Sequence, residues 1–164
     1  MSNSPQTNFH ELVSDFSVAM LVTRTASGEL RSRPMALAQI ERSGRLWFLT
    51  ERDSEKMDEI ARDNRVNVSM QTDSKFVSVS GTVAAVEDRA KVESLWSETF
   101  KVWFPGGKDD PDLQLLRFDG TTGEYWDNSG LRGIKYLIEA GKAYLTGRRP
   151  AVEGDPKIHA KVSM

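Results

Sequence analysis

The sequence predicts a mainly β (α+β) fold, a six-stranded antiparallel barrel, closed or split, with peripheral helices. Three observations carry this expectation. Apolar and polar residues alternate with period two at 66–71 and 77–85. Short turn signals, Ala26-Ser27-Gly28-Glu29, Ser43-Gly44 and 72–75, join successive extended stretches, which favours antiparallel neighbours. Neither a GxGxxG run nor a phosphate-loop lysine motif is present to mark a doubly wound parallel sheet.

Taken in order, Phe9, Leu12, Val13 and Phe16 fall at helical spacing and predict a short amphipathic helix. Residues 18–24 are rich in β-branched side chains and predict a strand, turned back into 30–40 and then 46–50 as an antiparallel meander. Asp53 or Ser54 suits the N-cap of a helix with Met57, Ile60 and Ala61 on its apolar face, a polar face outward, and Asn64 as a left-handed stop. Strands at 66–70 and 77–85 follow, the second with Gly81 at its centre as a bulge or tight bend. Asp88 caps a helix sharing Val92, Leu95, Trp96, Thr99 and Phe100 on one face, ending before Phe104-Pro105-Gly106-Gly107. Two more strands, 115–118 and 124–126, flank a turn at 119–123; a helix containing Ile134, Leu137, Ile138 and Leu145 and an extended piece with Ile158, Ala160 and Val162 complete the chain.

A length of 164 residues fits a single domain, 1–164 with its core at about 9–150, burying roughly two-thirds of its unfolded surface. The formal charge of -2 offers no general attraction for nucleic acid or an anionic membrane. With no cysteine there is no disulfide, thiolate metal site or cysteine nucleophile, which is compatible with a reducing compartment. Residues 1–11 lack a signal-peptide pattern and no stretch nears ~18 apolar residues, so the expectation is a cytoplasmic protein that does not span a membrane. His10 and His159 have no ligand spacing, and no metal site is expected.

The chemistry concentrates between Leu30 and Lys56. Arg31 and Arg33, two apart on a strand, present guanidinium groups to one face, where they can hold a phosphate or merely defend an edge strand. Pro34 removes a ladder donor. Thr50, Ser54 and Lys56 bring hydroxyls and an ammonium to a strand end that runs into a helix N-terminus, a setting for an anion or simply for capping. Trp47 and Trp126 can stack on a planar ring or serve packing and an interface. Trp103-Phe104 reads as a lid or as an anchored turn.

The order of Arg31-Ser32-Arg33-Pro34-Met35, Leu46-Trp47-Phe48-Leu49-Thr50, Ser54-x-Lys56, the strand at 66–69, Phe76 to Thr82, Trp103-Phe104-Pro105-Gly106-Gly107 and Glu124-Tyr125-Trp126-Asp127 resembles the general stress protein branch of the pyridoxamine 5'-phosphate oxidase-like flavoproteins. The resemblance covers about residues 9–150 and implies an FMN-binding split β-barrel acting as a homodimer, with FMN at the subunit interface. By position it assigns Arg31, Ser32 and Arg33 to the phosphate and ribityl side, and Pro34 and Met35 to the isoalloxazine edge. It puts Trp47, Phe48, Leu49 and Thr50 along the pocket, and Ser54 and Lys56 at the phosphate. Gln71 becomes a polar flavin contact, and Trp126 a contribution of the second subunit.

The family's oxidases carry a C-terminal arginine and histidine cluster for the substrate phosphate; Arg148-Arg149-Pro150 lacks the histidine and aromatic context. The expected function is therefore FMN binding within an oxidoreductase or reductase of unnamed substrate, with a nicotinamide as electron donor. A non-catalytic FMN store or redox sensor is the alternative, and pyridoxamine 5'-phosphate oxidase ranks third. No catalytic acid or base is assigned.

Overall fold

The computed structural model describes residues 5–130, 138, 142 and 159–164. Helix α1 (Pro5–Val13) leads into β1 (Val18–Arg24), β2 (Leu30–Ile40) and β3 (Leu46–Glu51). Helix α2 (Glu55–Arg62), β4 (Arg65–Gln71), β5 (Lys75–Val86), α3 (Arg89–Leu95), β6 (Leu113–Asp127) and β7 (His159–Ser163) follow. The sheet order is β3-β2-β1-β4-β5-β6-β7, and a further β3–β6 pairing closes β1 to β6 into a six-stranded antiparallel barrel. Strand β7 adds a seventh strand outside the closure by pairing with β6 from Thr122↔Ser163 to Trp126↔His159.

The period-two pattern fills the barrel. Leu21, Phe48, Val68, Val79, Val83, Leu116 and Phe118 point inward and are almost wholly removed from water. Ile60 packs into the same core with Met57 beside it, so α2 caps one end of the barrel. A second apolar cluster lies outside the wall, where Trp47, Leu49, Leu113 and Leu115 meet Val92, Leu95, Phe100 and Phe104. Strand β3 thus serves two cores on its two faces.

Gly81 sits at a register shift between β5 and β6, as a central glycine suggests. A Cβ there would stand 2.2 Å from the Asp119 carbonyl oxygen, so the close strand crossing requires its absence. Asp88 caps α3 by accepting a hydrogen bond from the Lys91 backbone N–H at 2.9 Å.

Four sequence expectations need correction. The helix after Asp88 stops at Leu95; Trp96 is extended, and Thr99 and Phe100 belong to a separate 3-10 turn (Glu98–Val102). The stretch 119–123 is no turn: pairing with β5 on one side and β7 on the other carries β6 straight through it. Asn64 is not left-handed, and α2 closes on Asp63 in extended conformation, whose N–H reaches the Glu59 carbonyl. Phe16 lies past the end of α1, though it still packs against the core. The helix expected around 134–145 lies outside the described residues.

Candidate functional site

A cleft of ≈ 510 Å³ opens where β2, the end of β3, α2 and the 3-10 turn converge. This is within the ~300–1,000 Å³ usual for small-molecule sites. Pro34, Met35 and Ala36 of β2 form one wall with Val18, and Leu49, Thr50 and Glu51 of β3 form another. Arg33 and Lys56 bring cations; Phe100, Trp103 and Phe104 bring aromatic surface. Phe100 and Phe104 are anchored in the cluster that includes Leu49, whereas the Trp103 side chain is 66% exposed at the mouth. The site is amphipathic, cationic where β2 meets α2 and apolar where β3 meets the 3-10 turn.

The cationic end has a defined support. Register places Arg33 beside Leu21 and Arg31 beside Thr23, so both arginines lie on the inward face of β2 toward α2. There they meet Glu59, which is buried although it belongs to the helix face expected to look outward. Its Oε2 accepts from Arg33 Nη2 at 2.7 Å and from the Thr23 hydroxyl at 2.5 Å. Arg33 Nη1 donates to the same hydroxyl at 2.5 Å, while Arg31 lies 3.3 Å from Glu59 Oε1 and also pairs with Glu55. Burial pushes the Glu59 carboxyl up, but the hydrogen bonds from Thr23 and Arg33 and the charges of both arginines outweigh it and hold it below its ordinary value.

Lys56 is held more loosely: its ammonium is 3.3 Å from the Glu51 carboxylate, which is half exposed. The Lys56 side chain is itself only 11% exposed, but its partner carboxylate can turn to water and leave the ammonium to a ligand anion. Ser54 stands at the N-cap of α2, but its hydroxyl donates to the Glu51 carbonyl at 3.0 Å instead of capping a helix N–H.

Of the sequence-derived candidates, the fold brings Arg33, Pro34, Met35, Leu49, Thr50 and Lys56 to one cleft. Others are placed elsewhere. Phe48 points into the barrel core. Trp47 lies under α3, its indole N–H on Glu41 and the Lys91 ammonium 4.6 Å from its ring. Arg31 is engaged by α2, and Ser32 lies on the exposed outer face of β2. Gln71, Phe76, Trp126 and His159 make a row across β4, β5, β6 and β7, and the Trp126 ring stacks on His159 at 5.0 Å and 8°. That row lies outside the cleft.

Sequence reasoning missed Val18, Ala36, Glu51 and Phe100 as lining residues, and Glu59 behind them. The last left a signal, since its i+3 and i+4 relation to Lys56 and Glu55 puts three charged groups on adjoining rows of one helix.

A family model described as "Pyridoxamine 5'-phosphate oxidase like" matches residues 4–151. Protein bli-3 of Neurospora crassa is 35% identical over 119 residues, which is 65% of this chain and 57% of that protein. The match therefore spans little more than half the length of that relative. Among solved structures, a Jannaschia sp. CCS1 protein assigned to general stress protein 26 aligns with a TM-score of 0.72 at 28% identity. That alignment covers 96% of this chain and 97% of the other. The general stress FMN/FAD binding protein of Xanthomonas citri aligns with a TM-score of 0.66 at 32% identity, over 76% of this chain and 89% of the other.

Proposed function

The chain belongs to the pyridoxamine 5'-phosphate oxidase-like family, and from that premise we propose that it binds FMN in the cleft between β2, β3, α2 and the 3-10 turn. One observation carries the reading: a single cleft combines Arg33 and Lys56 with the flat apolar surface of Pro34, Met35, Leu49, Phe100 and Trp103. A phosphate takes charge-assisted hydrogen bonds at the first, and a fused ring loses apolar area to the second. The FMN/FAD binding named for the Xanthomonas citri protein supports the same choice.

When bound, FMN would supply the hydride or electron transfer. The protein would hold the phosphate with Lys56 and Arg33, orient the ring along β2, and limit water through the aromatic turn. This makes an oxidoreductase or reductase drawing on a nicotinamide the leading role, with FMN storage or redox sensing as the second.

The site is completed by a second copy of the chain. Val18 and Pro34 line the cleft and also lie on the outward sheet face that exposes Met20 and Phe76. Gln71 and Trp126, which one chain keeps away from its own cleft, lie on the same outward face, where a partner copy would present them.

Titration with FMN, followed by flavin absorbance and fluorescence, tests the reading. Saturable binding with one FMN per chain is expected; no binding would sink it. Turnover with NADH or NADPH and a range of acceptors then separates the enzyme from the store.

A further inference from the structure

Glu59 is a buried carboxylate with no place in the flavin contacts assigned above, yet three groups from two strands converge on it. Thr23 comes from β1; Arg31 and Arg33 come from β2. Such a group leaves water at a cost unless it is paired and hydrogen-bonded. Here it is both, and the pairing has a directional result. A long arginine side chain loses much rotamer freedom when it is fixed. Arg33, a residue of the cleft wall, is fixed before any ligand arrives, because Nη1 is committed to Thr23 and Nη2 to Glu59.

We infer that Glu59 is a positioning residue for the anion end of the cleft, locking the Arg33 guanidinium so that it meets a ligand phosphate without further ordering. This rests on the FMN reading. The same helix carries Lys56 three residues earlier, so α2 sets both cations of the cleft: one directly, the other through Glu59. Arg31 closes the back of the clamp by bridging Glu55 and Glu59, and it stays outside the cleft.

The test compares FMN with riboflavin, which differs in lacking the phosphate. Dissociation constants for both are measured by flavin fluorescence in the wild-type protein, Glu59→Gln, Arg33→Ala and the double variant. Glu59→Gln is expected to reduce the preference for FMN by about tenfold, the scale of one charge-assisted hydrogen bond, with riboflavin little changed. In the Arg33→Ala background the same change should have no further effect, because the clamp then has nothing to position.

A folded Glu59→Gln protein with undiminished preference overturns the inference. So does a preference that widens, since the carboxylate would then be competing with the phosphate, or an equal loss for both ligands. Should Glu59→Gln fail to fold, Thr23→Val removes the hydroxyl shared by the clamp. A smaller narrowing is then expected, and none would overturn the proposal. A wild-type protein that binds neither flavin overturns the FMN reading itself, before any variant is compared.

Discussion

The Trp47 indole N–H donates to the Glu41 carboxylate at 2.6 Å, tying the start of β3 to the residue that follows β2 on the face away from the barrel interior. The Lys91 ammonium, 3.5 Å from the same carboxylate, covers the ring. A tryptophan in a motif shared with flavoproteins thus serves to seat α3. Trp47→Phe is expected to lower stability by about 1–3 kcal/mol, from the lost hydrogen bond and the reduced packing. FMN affinity should stay within about twofold, as a near-neutral change remote from the ligand would leave it. Urea unfolding and flavin titration of the same preparation check both halves.

Removing the cations should discriminate between ligands. Lys56→Ala combined with Arg33→Ala is expected to weaken FMN by about 3–6 kcal/mol, two charge-assisted contacts, and riboflavin far less. Equal loss would show that the two residues act through folding. Of the single variants, Lys56→Ala should cost less stability than Arg33→Ala, because the Glu51 carboxylate it leaves behind is half exposed and can turn to water. Arg33→Ala should destabilise, because it leaves the Glu59 carboxylate buried with a weaker set of partners.

Acid should loosen the protein in a definite window. The Glu59 carboxyl is held below its ordinary value of 4.5, and hydrogen bonds from Arg65 to Asp63, which follows α2, lower that group from 3.8 to about 2. A carboxyl lowered in the folded state contributes stability that is complete above its unfolded value and is lost as pH falls through its folded one. Stability should therefore hold near neutrality, begin to fall below about pH 4.5, and continue falling toward pH 2. Urea midpoints measured from pH 7 to pH 2 check this, with Glu59→Gln making the slope shallower. A stability that rises on acidification through that window would contradict the sign.

These variants show where the chain was legible. Strand alternation, the Asp88 cap and the Gly81 bulge follow from local rules, so the barrel could be read from the residues alone. The continuity of β6 could not, because Asp119-Gly120-Thr121-Thr122-Gly123 has turn chemistry locally and is held extended by pairing with β5 and β7. At the site, the residue types of Arg33, Pro34, Thr50 and Lys56 pointed to four of the twelve residues that line the cleft, and the family resemblance added Met35 and Leu49. Glu59 was hidden because a charged residue reads as surface until the fold supplies buried partners for it.

Gly81→Ala tests the bulge directly. The added methyl meets backbone at 2.2 Å on Asp119 and 2.9 Å on Gly120, neither of which can move without shifting β6. A loss of about 1–3 kcal/mol or more is expected, by analogy with overpacked cores. By contrast, Gly28→Ala meets open space and suffers only its left-handed backbone, at φ 90°. It should cost about 1–2 kcal/mol, the usual penalty for that region. Comparing thermal midpoints of the two variants separates clash from backbone strain.

The outward sheet face carries the last prediction. Met20 lies between Pro34 of β2 and Ser69 of β4, with its side chain 37% exposed, and Val18 two residues away both borders this face and lines the cleft. If a second copy packs there, it covers Met20 and Phe76 and brings Gln71 and Trp126 to the neighbouring cleft. Met20→Glu would then place a charge in a desolvated contact without touching the barrel core. The expected result is a folded monomer by sedimentation, with native circular dichroism and FMN affinity reduced at least about tenfold, as for one lost hot-spot contact. In the wild-type protein, dilution toward the dimer dissociation constant should weaken FMN in the same manner, because ligand and partner each favour the same assembled state. A Met20→Glu monomer that binds FMN as tightly as the wild-type protein would show that one chain suffices, and the cleft would then be complete in a single barrel.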